Sequence, residues 1–181
     1  MDASEERLVD AAGLDRLVEE TARGIADGGR RPGPLLLGGI RSRGYPIALR
    51  VVRALGPLVG TEVSVGAVDI TLYRDDLDHG RRWPVLHGTE IPFDMDGADV
   101  VLIDDVMYTG RTARALNAVC DLGRPSRVRL AVLVDRGHRE LPIQPDVVGM
   151  VMPTGPDERV QVRIRPTDPF DEVIRSRNPG A

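Results

Sequence analysis

Two adjacent carboxylates, Asp104 and Asp105, stand just before Thr109-Gly110-Arg111-Thr112. The second group suits an anion. A turn that opens a helix presents unpaired backbone N–H groups and the positive end of the helix dipole. Gly110 permits close backbone approach, and the hydroxyls of Thr109 and Thr112 add donors. The same threonines would also cap any helix. The acids separate these alternatives, because carboxylates beside a phosphate are unfavourable unless they serve another group. Hydroxyls donate to carboxylates, and a divalent cation recruits their oxygens. A ribose 5-phosphate unit has a phosphate at one end and a vicinal diol at the other. The spacing predicts phosphate on residues 108–112 and sugar hydroxyls near Asp104 and Asp105. A solvated acidic turn is the plainer alternative.

The elements that would position these groups follow from apolar patterning. Leu35 to Ile40, Val100 to Ile103, Val128 to Val134 and Val147 to Val151 are short apolar runs of strand length, and Val63 to Tyr73 is strand-like. Helical spacing covers Glu5 to about Asp27, Tyr45 to Leu55 (stopping at Gly56-Pro57) and Thr112 to Leu122. Val160 to Ile164 alternates as an edge strand would. Strands alternating with helices predict a parallel sheet covered on both faces, with ligands beyond the carboxyl ends of its strands. Three loops leave those ends: residues 41–44, 104–112 and 135–139. All three carry arginine and glycine, and the second and third carry acids as well. Residues 74–92 form a long polar connection, of the kind found in functional or mobile loops.

Composition excludes several classes. The 181 residues suggest one domain, 41% hydrophobic and 29% charged, with a net charge of −4. That charge argues against a generally cationic nucleic-acid binder but leaves room for a local basic patch. All 24 basic residues are arginine. Without lysine there is no Schiff-base chemistry and no P-loop lysine. No run approaches the ~20 apolar residues of a membrane helix, and the acidic start MDASEERLVD is not a secretory signal. One cysteine, Cys120, fits a reducing cytoplasm and is expected to be a small core residue. The three histidines lack zinc spacing.

The stretch VVLIDDVMYTGRT, Val100 to Thr112, resembles the phosphoribosyl pyrophosphate (PRPP) motif of type I phosphoribosyltransferases: an apolar strand, two acids, then a TGxT loop. DITLYRDDL (Asp69 to Leu77) and LAVLVDRGHRELPI (Leu130 to Ile143) narrow the resemblance to the uracil phosphoribosyltransferases that also regulate pyrimidine operons. With GIRSRG and VVGMVMPT it covers nearly the whole chain. It implies an α/β fold with a central, mostly parallel sheet flanked by helices, a flexible loop at about 74–92 and a small hood. It further implies conversion of uracil and PRPP to UMP and pyrophosphate, with Mg²⁺ carried by PRPP rather than by protein ligands. By this resemblance Asp104 and Asp105 hold the ribose hydroxyls. Met107, Tyr108, Thr109, Gly110, Arg111 and Thr112 hold the 5-phosphate. Arg41, Ser42, Arg43 and Gly44 hold pyrophosphate, in keeping with two guanidinium forks and a glycine at a strand end. A solvated basic turn is the alternative there. Ser42 stands where the family usually has threonine. Arg74 would meet pyrophosphate as the flexible loop closes, with Arg81 and Arg82 as weaker candidates. Asp135 and Arg136 would contribute to the base pocket. His138 could act in acid–base chemistry, structure or RNA contact. No general base is evident; pyrophosphate or water would take the proton of uracil.

The resemblance also implies UMP-dependent binding to the leader mRNA of pyrimidine genes, for which Arg136, Arg139, Arg159, Arg163 and Arg165 are the candidate contacts. Solvated arginines are the alternative. Glu19-Glu20 replaces a threonine-arginine pair of better-matching members and would repel phosphate. A salvage enzyme that has lost RNA binding therefore remains open, as does a purine phosphoribosyltransferase. A homodimer or an assembly of dimers is implied by the family.

Overall fold

The computed structural model describes residues 5–69, 94–110 and 112–177. Five strands pair in parallel in the order β3-β2-β4-β5-β6: β2 Leu35–Ile40, β3 Val63–Val68, β4 Asp99–Met107, β5 Arg127–Asp135 and β6 Val147–Val151. The inner strands are apolar at almost every position because both faces are covered. Leu35, Leu37, Val101, Ile103, Ala131 and Leu133 face α1 (Ala11–Asp27) and α2 (Gly44–Val59). Their neighbours Leu36, Val100, Leu102, Leu130 and Val132 face α3 (Ala113–Leu122), against Ala115, Ala118 and Val119.

The connection from β2 leads to β3 on one side, and that from β4 leads to β5 on the other. The chain order therefore reverses between β2 and β4, the topological switch point at which open α/β sheets bind ligands. The register makes this physical. β4 pairs with β2 only as far as Gly39↔Ile103, but continues along β5 to Met107↔Asp135. Residues 104–107 thus overhang the end of β2.

A second, antiparallel sheet has the order β1-β8-β7, built from β1 Glu5–Val9, β7 Glu158–Arg163 and β8 Glu172–Arg177. Its inner side chains Val160, Val162 and Val173, with Ile164, join the core beneath α1 and α2. This is the small hood.

Several boundaries differ from the sequence reading. Residues 5–9 are not helical: they form β1, and Asp10 caps α1 by accepting the N–H of Gly13 at 2.8 Å. The partner of β1 lies more than a hundred and fifty residues away, so local periodicity could not reveal it. β8 was missed for a different reason: it closes a local hairpin with β7, but only Val173 and Ile174 of its sequence EVIRSR are apolar, too few to show a strand pattern. α2 runs through Gly56-Pro57 to Val59 and ends on Gly60 at φ 63°. Pro57 offers no N–H to the Arg53 carbonyl and its ring crowds that carbonyl, yet the Gly60 N–H still reaches the Gly56 carbonyl at 3.0 Å. Cys120 is exposed rather than in the core. It lies off the stripe formed by Ala115, Ala118 and Val119.

Candidate active site

Asp104 and Asp105 occupy the overhang of β4. They are half-buried and form no ion pair among the described residues. The N–H of Asp105 donates to Asp104 Oδ1 and that of Val106 to Asp105 Oδ1, each at 2.9 Å. Burial, and then the charge of Asp105, push the Asp104 carboxyl well above the usual carboxylate range. Burial raises Asp105 as well, partly offset by hydrogen bonds and by the Arg43 charge. Among the described residues Arg43 is a cation whose charge acts on this half-buried acid pair, but it does not pair with either carboxyl. Hydroxyl donors or a cation brought by a ligand would complete the acid pair.

Beyond β4 the chain turns sharply. Gly110 has φ 96°, and a Cβ there would lie 2.8 Å from Ile143 Cγ2. The N–H groups of Thr109, Gly110 and Thr112 find no protein acceptor among the described residues. The Thr112 hydroxyl makes no helix cap. It donates instead to Asp104 Oδ2 at 3.0 Å, tying the turn to the acid pair. Met107 is fully buried and roots the turn, whereas Tyr108 is exposed. Arg111 and Arg74 lie outside the described residues, as do Arg81, Arg82, Trp83, His79 and His87.

The turn after β2 stands beside this one. Gly44 opens α2 against β4, where a Cβ would run into the carbonyl oxygen of Ile103. Arg41 and Ser42 are exposed, and the peptide joining them is cis. Arg43 is half-buried and grips Asp168 of the hood with two hydrogen bonds, Nε to Oδ2 at 2.9 Å and Nη2 to Oδ1 at 2.8 Å. The bonds to Asp168 outweigh the cost of burial and, with the nearby Asp105 charge, hold the Arg43 guanidinium firmly ionised.

The third loop closes the far side. The N–H of Arg136 donates to Met107 O at 3.1 Å, and those of Glu140 and Leu141 to Thr109 O at 2.9 and 3.0 Å. Asp135 and Arg139 form a two-bonded pair at 2.6 and 3.0 Å. The Arg136 guanidinium lies 4.1 Å from the Tyr108 ring centroid and donates to Thr154 Oγ1 and Glu158 O. Arg136 is only 5% exposed, so it is a bracket between the 108–112 turn and the hood, with no free cation to offer RNA. The His138 ring meets Tyr108 edge-on and bonds Thr154 O at 2.7 Å. Of the other RNA candidates, Arg139 is held by Asp135, Arg163 by Glu5 and Glu172, and Arg165 by Asp171. Arg159 is exposed and makes no ion pair among the described residues. Sequence reading missed Asp168: an acid in a hairpin loop carries no periodic signal, and its partner is 125 residues distant.

A switch point carrying an acid pair, a glycine turn whose N–H groups find no acceptor among the described residues, and a basic turn is the arrangement of a phosphoribosyltransferase. The phosphoribosyl transferase domain family matches residues 6–163, and the chain belongs to that family and, within it, to the bifunctional PyrR proteins. The bifunctional PyrR protein of Chloroflexus aurantiacus is 49% identical over 174 residues, 94% of each chain. That of Thermus aquaticus is 48% identical over 175 residues, 96% of this chain and 97% of the relative. Among solved structures, the hypoxanthine phosphoribosyltransferase of Trypanosoma cruzi superposes with a TM-score of 0.70 at 19% identity, covering 95% of this chain and 96% of that one. Its complex with the product IMP gives 0.71 at 20%, covering 97% and 91%. This likeness shows a shared fold. No described helix is long and apolar enough to cross a membrane.

Proposed function

We propose that this chain, as a single domain, transfers the phosphoribosyl group of PRPP to uracil, giving UMP and pyrophosphate. The observation that carries the reading is the acid pair: two carboxyls held above their usual range, Asp104 bonded to the Thr112 hydroxyl, set between the 108–112 and 41–44 turns. Asp104 and Asp105 accept the ribose hydroxyls. The open N–H groups of Thr109, Gly110 and Thr112, joined by Tyr108 and Arg111, hold the 5-phosphate, and Met107 anchors that turn from the core. Arg41, Ser42, Arg43 and Gly44 take the pyrophosphate, and Arg74 joins them. The bond from C1 of the ribose to pyrophosphate breaks and its electron pair leaves with pyrophosphate. The uracil nitrogen bonds to C1 and its proton passes to pyrophosphate or water. The protein contributes position and charge rather than a covalent intermediate. Asp135 lies at the base end of the site, with Arg136 bracing it.

Among the described residues no three metal-binding side chains gather. The carboxylate oxygens of Asp104 and Asp105 suit a hard cation that brings most of its ligands with it. Mg²⁺ bound to PRPP would neutralise the leaving pyrophosphate.

Regulation of pyrimidine genes through UMP-dependent leader-RNA binding is the second function proposed, supported by near-full-length similarity to proteins named bifunctional. Four of the five arginines singled out for it are engaged by other groups of the chain, and Glu19 pairs with Arg23 on the exposed face of α1. Arg159, and Arg165 with its side chain still exposed beside Asp171, are the candidates that face solvent and can meet RNA. The catalytic reading is tested by incubating the protein with PRPP, Mg²⁺ and uracil, hypoxanthine or guanine. Nucleotide formation from uracil alone is expected; turnover of a purine base and not uracil would overturn it. RNA binding is tested by titrating leader RNA with and without UMP at fixed salt, and a curve unmoved by UMP would leave the salvage enzyme alone.

A further inference from the structure

The hood is stapled to α2 at two points. Arg43 and Arg50 lie two turns apart on that helix, and Asp168 and Asp171 lie three residues apart in the β7–β8 loop. Arg43 takes Asp168 with two hydrogen bonds, and Arg50 takes Asp171 at 2.8 Å. The staples are not equivalent. Asp171 also receives the N–H and guanidinium of Arg165, at 2.8, 3.1 and 2.9 Å, inside its own loop. Among the described residues Asp168 receives only the Ile164 N–H besides Arg43. Arg50 stands well along α2, whereas Arg43 stands at its start, next to Gly44 and within electrostatic reach of Asp105.

The guanidinium of Arg43 has five N–H groups in a fixed plane. Asp168 occupies the Nε edge with two of them. The other three find no protein acceptor among the described residues. The backbone at Arg43 is also fixed, because its carbonyl accepts the Ile47 N–H at 3.2 Å in the first turn of α2. With base and fork both held, the orientation of the remaining donors is set from the hood.

We infer that Asp168 is a positioning residue for the diphosphate end of the substrate, acting through Arg43: it fixes one edge of the guanidinium so that the other is pre-aimed at the leaving group. The inference rests on the assignment of the 41–44 turn to pyrophosphate. The hood, whose sheet shares no strand with the central one, thereby takes part in binding a ligand on the opposite side of α2's first turn. Pre-aiming matters because an arginine free to rotate must be ordered on binding.

The test is calorimetric titration of inorganic pyrophosphate, with Mg²⁺, into wild type and variants, followed by UMP titration as the comparison. Asp168→Asn is expected to weaken pyrophosphate about tenfold, the scale of losing one charge-assisted hydrogen-bonded pair, with UMP affinity changed less than about twofold. In an Arg43→Ala background the same change should add nothing, because the route runs through Arg43. Asp171→Asn should lower the melting temperature but leave pyrophosphate affinity intact. Should Asp168→Asn fold poorly, Asp168→Glu, which keeps the charge but displaces the fork, is expected to show a smaller loss in the same direction. Unchanged pyrophosphate affinity, equal losses for pyrophosphate and UMP, additive effects with Arg43→Ala, or an equal loss in Asp171→Asn would each overturn the inference. Because these titrations need no base, a protein that fails to use uracil but loses pyrophosphate on Asp168→Asn refutes the proposed reaction and not this role.

Discussion

Asp99 and Asp104 sit five residues apart on one strand, at opposite ends of the same sheet, and are treated in opposite ways. Asp99 is 1% exposed and fully engaged: Arg127 donates to both of its oxygens at 3.0 and 2.6 Å, and Arg129 adds a contact at 3.3 Å. Burial alone would raise its carboxyl, but the Arg127 hydrogen bonds and the Arg129 charge, with the Arg31 N–H, hold it below the usual range. The same arginines reach the carbonyls of Ile25, Gly28 and Gly29, completing the end of α1. Asp104 receives one hydroxyl and the backbone N–H of Asp105, with the Asp105 carboxylate beside it instead of a counter-charge. One end of the strand is finished by the protein itself. The other is left for a ligand to finish, at a cost in stability that is the usual mark of a binding site.

Mutation should separate these ends. The largest effect is expected from Asp104→Asn with Asp105→Asn: UMP formation should fall by at least about a thousandfold, comparable to removing a main transition-state contact, and near-normal turnover would sink the ribose assignment. Asp99→Asn should do the reverse, leaving the acid pair intact while destabilising the fold by roughly 3 kcal/mol, because buried Arg129 and half-buried Arg127 lose their counter-charge; a melt within a degree of wild type would erase the contrast. Arg43→Ala should weaken pyrophosphate by about tenfold or more, read by titration, and an unchanged isotherm would remove that residue from the site.

Acidity sharpens the comparison. Asp99 has a lowered carboxyl, so its contribution to stability is present above the ordinary aspartate range and disappears as pH falls through its folded value. Asp104 has a raised carboxyl, so its ionised form weakens the fold at neutral pH, and the penalty fades as pH falls toward the ordinary range. The stabilising effect of Asp104→Asn should therefore be greatest near neutrality and shrink on acidification, as measured by thermal melts across pH. A gain that grew on acidification would contradict the raised value. The smallest effect is expected at Glu19→Ala, which removes a solvent-exposed pair with Arg23 and should shift stability by less than about 0.5 kcal/mol.

The sequence revealed one of these ends better than the other. The apolar runs of β2, β4, β5 and β6, and the acid-then-glycine order after β4, are local and were legible. The Asp99 cluster was not, because Arg127 and Arg129 look like ordinary polar breaks in a strand until the fold brings them onto one carboxylate. Periodicity merged β1 into α1, whose start is set by the Asp10 cap seen in the structure. Arg136 and Arg163 resembled free surface cations, since nothing in the sequence announces that Glu158 O or Glu5 will meet them. Patterning reports which face a residue takes; it does not report the partner.

The hood joins residues 5–9 to residues 172–177, strand beside strand. During synthesis the chain emerges from its start, at ~5–20 residues each second. The central sheet has all its strands by Val151, and α1 can pack on it. Glu5–Val9 then waits with an unpaired edge until β8 is made. Asp168 is made just ahead of β8. The grip of the hood on Arg43 therefore forms only after every strand of the central sheet has emerged.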